Sequence, residues 1–300
     1  MDHPLISREQ TALRKRVVQF LKMALSVQRT SNIIFLCGGN DETHMRMCFK
    51  EYCKDNLPEY DVFLPESAMG GIFSDGLEEP FDLADFEELV GEVSHAIVVF
   101  PEGPGSCAET GYFSAIQTMA QKCILVLDHN RQKDDSFISL GPAKKISDSS
   151  IFYPTISLDY SEPNFDDIAE RVRIRKTRRT KKLLKLEKFS DLSTYEIAAT
   201  LDAIVRICTI ATYEDIRYLM ASIFRNQYSA PKVRKTLCLL LGSEYLTSVG
   251  QYGHLASNLE KTQLATVRDG FKTDYAELRL QLTAMYQDCD EEFLQLIEAS

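Results

Sequence analysis

The sequence predicts an α/β fold, in which a small doubly wound, Rossmann-like parallel sheet is followed by a mostly helical domain. Two observations predict the sheet. Short apolar runs alternate with helical periodicity over the first 160 residues, which is typical of a parallel sheet covered by helices. Glycine-bearing turns follow two of these runs. A change to mostly helical composition near residue 190 predicts the second domain.

The predicted strands are short apolar runs bounded by turn residues. They are NIIFLC (32–37), YDVFLP (60–65), AIVVF (96–100), CILVL (123–127) and IFYPTISL (151–158). Helical spacing covers about 7–27, 41–56, 82–94 and 107–121. Ligands of such sheets bind beyond the carboxyl ends of the strands. The segments that follow the first three strands are therefore the predicted site.

A chain of 300 residues has room for two domains. We predict a sheet domain over residues 1–165, a basic helix or linker over 166–190, and a helical domain over 191–300. In the last, two helices with N-cap signals over 212–224 and 229–241 precede a hairpin.

Two helices followed by a hairpin favour a winged-helix-like domain, with Lys232, Arg234 and Lys235 on the recognition helix. An ordinary helical oligomerisation domain fits the same pattern.

The net charge of −10 hides one basic segment. Residues 171–188, here called the basic belt, contain ten Lys or Arg and one Glu, a local charge of +9. Such a belt suits the phosphates of a nucleic acid, although a solvated helix face has the same composition. Its candidate binding residues are Arg171, Arg173, Arg175, Lys176, Arg178, Arg179, Lys181 and Lys182.

Several classes are excluded by pattern. No apolar run of about 18 residues is present to span a bilayer, and the first 25 residues lack a signal-peptide core; we expect a cytoplasmic protein. Eight cysteines without paired C-x-x-C spacing favour reduced thiols. Neither G-x-G-x-x-G nor a Walker loop occurs. We expect no metal and no resident cofactor, with His44 and His95 structural or exposed.

Residues 100–115, FPEGPGSCAETGYFSA, have two interpretations. Ser106 and Glu109 fit the capping box S-x-x-E, in which each side chain satisfies a backbone N–H at the helix start. A carboxylate in the first helical turn also stays ionised, which suits a nucleophile. The residues leave both roles open for Glu109.

Cleavage of an N-glycosidic bond passes through a cation-like sugar, which a carboxylate can stabilise or trap covalently. A second acid can assist the leaving base. Glu87, on the predicted helix before the third strand, is the candidate, although most acids crowding that helix must simply be solvated.

The motifs IFLCGG, LPES, FPEGPGSCAETGYFSA, Asp128 and SFISLGP (136–142) together resemble the nucleoside deoxyribosyltransferase-like effector proteins of bacterial retrons. The resemblance covers about residues 32–142, is most specific in G-S-x-x-E-x-G-x-F-S, and extends more loosely to the belt and winged-helix-like region. A more distant similarity, to nucleoside deoxyribosyltransferases and phosphoribohydrolases, concerns the fold and the Glu. A shorter loop before Glu109, and Glu where the transferases have Asp, argue against base exchange on free nucleosides.

The resemblance implies that Glu109 is the nucleophile and that Glu87 occupies a proton-donor position. It implies that the glycine turns hold phosphate or ribose. The candidate substrate-binding residues are Gly38, Gly39, Glu66, Glu102, Gly103, Gly105 and Ser106.

The resemblance also implies a toxin of phage defence, held inactive by a reverse transcriptase with its multicopy single-stranded DNA (msDNA) and associated RNA. A higher-order assembly is a further candidate partner state. The hypothesis is an N-glycosidase acting on NAD or a related nucleotide as substrate. The alternative is a nucleotide-sensing, DNA-binding transcriptional regulator with an inactive sheet domain.

Overall fold

The computed structural model describes residues 3–28, 31–65, 83–131, 135–152, 154–174 and 181–300. Its α-helices are α1 (Thr11–Ala24), α2 (Met45–Asn56), α3 (Leu83–Val93), α4 (Pro104–Ala115), α5 (Gln117–Ala120), α6 (Lys144–Ser149), α7 (Asp166–Ile174), α8 (Thr194–Cys208), α9 (Tyr213–Phe224), α10 (Ala230–Gly242), α11 (Lys272–Gln287) and α12 (Glu291–Glu298). Its strands are β1 (Leu25–Gln28), β2 (Ile33–Cys37), β3 (Asp61–Phe63), β4 (Ala96–Val99), β5 (Cys123–Asp128), β6 (Ile156–Leu158), β7 (Lys181–Leu183), β8 (Ile210–Ala211), β9 (Leu246–Val249), β10 (His254–Ser257) and β11 (Ala265–Val267). A π-helical turn spans Ser139–Ala143.

Contacts divide the described chain into two units. The sheet unit contains the described residues from 31 to 174, and the helical unit contains 3–28 and 181–300. The sequence-based boundaries differ, because they assign the first 28 residues to the sheet domain and α7 to a linker. Strand pairing explains the first difference, since β1 lies between β7 and β11.

The sheet unit is built on five parallel strands in the order β3-β2-β4-β5-β6. This confirms the predicted parallel sheet, and each of the five apolar runs contains one strand. The order reverses direction between β2 and β4, where Ile34 lies opposite Ala96. A reversal of this kind defines the switch point of a doubly wound sheet.

The strands of the sheet unit are mostly apolar, because the central strands of a parallel sheet are buried on both faces. All residues of β2 and β4 are buried. An aromatic cluster packs against them, in which the ring centroids of Phe49 and Phe165 are 5.3 Å apart and those of Phe49 and Phe100 are 5.9 Å apart. This core holds the carboxyl ends of β2 and β4 in fixed positions.

The helical unit contains two small antiparallel sheets, β11-β1-β7 and β8-β10-β9. The predicted hairpin is confirmed: β9 pairs with β10, and Gly250 and Gly253 between them have φ values of 65° and 69°. Around the second sheet, the elements follow in the order α8, β8, α9, α10, β9, β10. The winged-helix-like arrangement itself stays a prediction.

Helix α8 is the most buried helix of the helical unit. It begins with a capping box, in which Glu196 accepts a hydrogen bond from the Ser193 N–H at 2.9 Å. Among the described residues, no helix is both long enough and apolar enough to cross a bilayer.

Candidate functional site at the switch point of the sheet

The candidate site lies where β2 and β4 end side by side. Cys37 and Val99 are paired as their last residues, and the N–H of Phe100 donates to the Cys37 carbonyl at 2.9 Å. The two glycine-bearing turns therefore leave the sheet next to each other. This is the position at which open α/β sheets bind ligands.

The side chain of Glu102, in the second glycine-bearing turn, reaches the first turn. Its carboxylate accepts hydrogen bonds from the backbone N–H groups of Met45 at 2.7 Å, Gly39 at 3.2 Å and Arg46 at 3.5 Å. The amide groups at the start of α2 make an anion site, and a side chain of the protein already fills it. Glu102 thus connects the two turns, whereas the sequence assigns it to substrate binding.

The glycines of the first turn fit closely against neighbouring side chains. A Cβ at Gly39 would lie 2.1 Å from Nδ1 of His44, and one at Gly38 would lie 2.8 Å from Cβ of Arg46. These glycines permit the close approach of α2 and Glu102. By contrast, a Cβ at Gly103 or Gly105 would meet no atom of the described residues within 4 Å. Among the described residues, the open space is therefore at the second turn.

Helix α4 begins three residues earlier than the sequence predicts, so the capping-box interpretation of Glu109 is wrong. Gly103 is the N-cap and Pro104 the first helical residue, because proline is pre-organised for that position. The Ser106 hydroxyl accepts from the N–H of Glu102 at 3.0 Å and of Gly103 at 3.1 Å, and donates to the Gly103 carbonyl. All its hydrogen-bonding capacity is used in the turn.

Glu109 therefore lies in the second turn of α4 without a capping role. The residue is half-buried, and its Oε2 atom is shielded from solvent. Glu87 on α3 is 5% exposed, which is unusual for a glutamate. Both carboxylates are thus held within the protein fold.

The two acids approach a common point, the Cys37 thiol at the end of β2. The pKa of Cys37 is raised well above its ordinary value, first by complete burial and then by the negative charges of Glu109 and Glu87. Two glutamates that are 22 residues apart in the sequence therefore lie near enough to this buried thiol for their charges to act on it.

Arg46 is a site residue that sequence reasoning missed. It is 3% exposed, its Nε donates to the Gly39 carbonyl at 3.0 Å, and its Nη2 donates to the Asn40 side chain. Its positive charge also acts on the Cys37 thiol. Its place directly after a glycine turn, in the first turn of a helix, was the only available signal.

The motif SFISLGP packs beside this site. The π-helical turn Ser139–Ala143 packs on α4, and the hydroxyls of Ser136 and Ser139 are 2.9 Å apart. Asp128 at the end of β5 is 7% exposed and forms an ion pair with Arg131 at 3.3 Å. Glu66 lies outside the described residues.

The two histidines considered in the sequence make hydrogen bonds within the protein, and the cysteines form no disulfide bonds. His95 is buried, and its Nε2 is 2.9 Å from the Val172 carbonyl oxygen. His44 accepts from the Asp41 N–H at 3.0 Å through Nδ1. All eight cysteines are free. Within the described ranges, no three His, Cys, Asp or Glu side chains are grouped as metal ligands.

Three described residues of the basic belt bond within the protein. Nη1 of Arg171 donates to the Phe152 carbonyl at 2.9 Å, Arg173 donates to the Asn56 carbonyl, and Lys182 forms an ion pair with Glu196 at 3.1 Å. Lys181 is exposed. The belt residues Arg175, Lys176, Arg178 and Arg179 lie outside the described residues.

The candidate recognition helix is α10. Lys232, Arg234 and Lys235 are each half-buried, and the Nε and Nη2 atoms of Arg234 are buried. The guanidinium of Arg234 is thus directed against its own unit. The assignment of these residues to nucleic-acid contact stays a prediction.

The fold and the site define an α/β protein of the doubly wound class with two enclosed carboxylates at its switch point. The profile of the family described as STM3845 retron effector protein matches residues 42–248, more than half of the chain. The chain therefore belongs to this family of retron effectors.

A protein of Escherichia coli, named as a ribosyltransferase/DNA-binding protein of retron Ec86, is 30% identical over 113 residues. The similar region covers 37% of this chain and 36% of that relative. The chain thus matches about a third of the length of this curated relative.

Proposed function

We propose that this retron effector cleaves the N-glycosidic bond of NAD or a related nucleotide, with Glu109 as nucleophile. The observation that carries the proposal is that the charges of Glu109 and Glu87 both act on the buried Cys37 thiol, which ends β2 at the switch point. The word ribosyltransferase in the name of the Escherichia coli relative supports chemistry at a sugar. Because Gly103 and not Ser106 is the N-cap, a capping box does not account for the glutamate at residue 109.

In the proposed reaction, the Glu109 carboxylate attacks the anomeric carbon as the bond to the base breaks. The bonding electron pair moves to the base nitrogen, so nicotinamide leaves NAD as a neutral molecule and needs little acid assistance. Water then attacks the glycosyl ester while Glu87 takes its proton, which frees Glu109 and completes hydrolysis. Transfer to another acceptor would follow the same path with that acceptor in place of water.

The nucleotide phosphates are proposed to bind at the start of α4. The corresponding site at the start of α2 is filled by Glu102, whereas no atom of the described residues would lie within 4 Å of a Cβ at Gly103 or Gly105. Helix starts attract phosphate through backbone N–H groups and the helix dipole. Arg46 supplies a further positive charge near the two acids.

We further propose that a reverse transcriptase with its msDNA and RNA restrains the activity. The basic belt and α10 are the proposed contacts, and their binding should weaken with salt. The term DNA-binding in the name of the relative supports a nucleic-acid partner.

The proposal is tested with the Glu109→Gln variant, because Gln has nearly the same shape but cannot form the glycosyl ester. We expect consumption of NAD, followed by mass spectrometry, to fall at least about 1,000-fold. Glu88→Gln on α3 is the matched control and should keep full activity. If Glu109→Gln consumes NAD at the wild-type rate, the mechanism is wrong.

Wild-type protein should be incubated with a panel of nucleotides, both free and in complex with the reverse transcriptase and msDNA. Turnover only by the free protein would support restraint. If free protein turned over no nucleotide yet bound one duplex sequence selectively, the regulator alternative would replace the proposal.

A further inference from the structure

We propose that a groove between α1 and α9 in the helical unit binds single-stranded nucleic acid. The groove has a volume of about 560 Å³. Its described lining residues include none of the basic belt and none of α10, and the inference does not depend on the proposed glycosidase activity. We refer to it as the α1/α9 groove.

The charge of the α1/α9 groove is the first observation. Arg14, Lys15 and Lys22 line it, and among the described lining residues none is acidic. This local charge of +3 stands out in a chain whose net charge is −10. An anionic partner is therefore favoured.

The arrangement of the cations suits a polymer laid along the helix. Lys15 and Lys22 are two turns apart on the same side of α1, about 10 Å along its axis. Gln19 lies between them on that side and is exposed. Two separate phosphates of one strand can thus contact the two lysines, while Gln19 offers hydrogen bonds between them.

The groove also contains an aromatic ring. Tyr218 of α9 is 42% exposed, and the guanidinium of Arg14 lies 5.2 Å from its ring centroid. Arg14 is itself held by hydrogen bonds to the carbonyls of Leu5 at 3.0 Å and Ser7 at 2.8 Å. The pair is therefore pre-organised, with Arg14 as a positioning residue.

A cationic groove with an exposed ring is the arrangement that binds single strands, because an unpaired base stacks on the ring while lysines neutralise the phosphates. A base inside a duplex is already stacked on its neighbours and cannot use the ring. An acidic peptide would use the lysines but not the stacking surface. The ring thus favours a single strand over both alternatives.

The test measures binding of fluorescent oligothymidylate, about 12 nucleotides long, to the full chain by anisotropy. Tyr218→Ala should weaken binding about 10-fold, while Tyr218→Phe keeps the ring and should bind like wild type. Lys15→Gln with Lys22→Gln should reduce the slope of log affinity against log salt by about 1.4.

The matched charge control is Lys54→Gln with Lys145→Gln, which removes two exposed lysines of the sheet unit and should leave the affinity near wild type. The inference is overturned if the groove variants bind like wild type, or if the control weakens binding equally. It is also overturned if Tyr218→Ala weakens binding of a duplex or of a polyglutamate peptide as much as it weakens binding of oligothymidylate.

Discussion

At the scale of single residues, Glu102 shows how a residue chosen as a ligand contact can serve the fold. Its carboxylate takes the place that an anion would occupy at the start of α2. A buried or partly buried carboxylate with several N–H donors is a strong, charge-assisted connection. Glu102 therefore fixes the distance between the two turns that frame the site.

We expect Glu102→Ala to destabilise the sheet unit by about 1–3 kcal/mol, because the N–H groups of Gly39 and Met45 lose their acceptor. Glu102→Gln, which keeps one acceptor oxygen, should cost less. Urea unfolding monitored by hydrogen exchange in α2 measures both changes. Glu51→Gln, on the exposed side of α2, is the control. A stability unchanged in Glu102→Ala, with loss of nucleotide binding alone, would instead make Glu102 a substrate contact.

The candidate site was predictable from the sequence only in part. Glu109 was found because its motif is local, with Gly, Ser and Glu within five residues. The roles of Glu102 and Ser106 depend on which backbone N–H groups lie within reach. For Glu102, those groups are 56 to 63 residues away in the sequence, so spacing alone carries no signal for them.

At the scale of elements, the segment around His3 shows how the N-terminal residues are attached to the helical unit. The N–H of His3 donates to Asp215 at 3.0 Å, and Nε2 is 3.1 Å from both the Cys208 carbonyl oxygen and the Tyr286 hydroxyl. Asp215 also accepts from the Thr212 N–H at 2.8 Å to cap α9. One buried histidine thus links α8, α9 and α11.

We predict that this attachment weakens in mild acid. Burial lowers the pKa of His3 from its ordinary value of 6.5, although Asp215 opposes the shift. Between the folded pKa and 6.5, the unfolded state binds more protons, so stability rises with pH. The stabilisation is complete above about pH 6.5 and is lost below it, by up to about 1.4 kcal/mol per pH unit.

Hydrogen exchange of α9 amides across this range, corrected for intrinsic rates, measures the effect. His3→Asn should flatten the pH dependence relative to wild type. His254, whose charge also acts on His3, is 0% exposed and is present in both proteins. An identical profile in the variant would exclude His3 as the titrating group.

The elements themselves were predictable where the pattern was long or continuous. Apolar runs identified all five parallel strands, because strands of a parallel sheet consist mostly of apolar residues. Strands β7 and β11 have only three residues each, too few for a period to be visible. The sequence KKL of β7 even reads as part of a charged face, and only its pairing with β1 makes it a strand.

At the scale of the whole molecule, the N-terminal residues belong to the helical unit. Val17 and Leu21 of α1 are 0% exposed, and β1 is the central strand between β7 and β11. Each unit has its own buried core. We therefore expect that a change which unfolds one unit leaves the other unit folded.

We predict that deletion of residues 1–29 exposes the backbone amides of the helical unit to solvent, while the sheet unit stays folded. The reason is that β7 and β11 both lose their partner strand. Hydrogen exchange should show lost protection over 181–300 and retained protection over 31–174. Met23→Ala, at a residue that is 49% exposed, should change neither. Equal loss of protection in both ranges would contradict the division into two units.

The pairing of β1 with β11 has a consequence for synthesis. Strand β1 cannot complete its pairing until Val267, the partner of Leu25, has been synthesised. By contrast, all strands of the parallel sheet have left the ribosome once residue 158 is clear. At translation speeds of about 5–20 residues per second, the half with the two glutamates can fold roughly 5–20 seconds before the other half receives its last strand. Under the proposed function, the two glutamates are therefore in place before the proposed attachment surface is complete, and a restraining partner has to be present before synthesis ends.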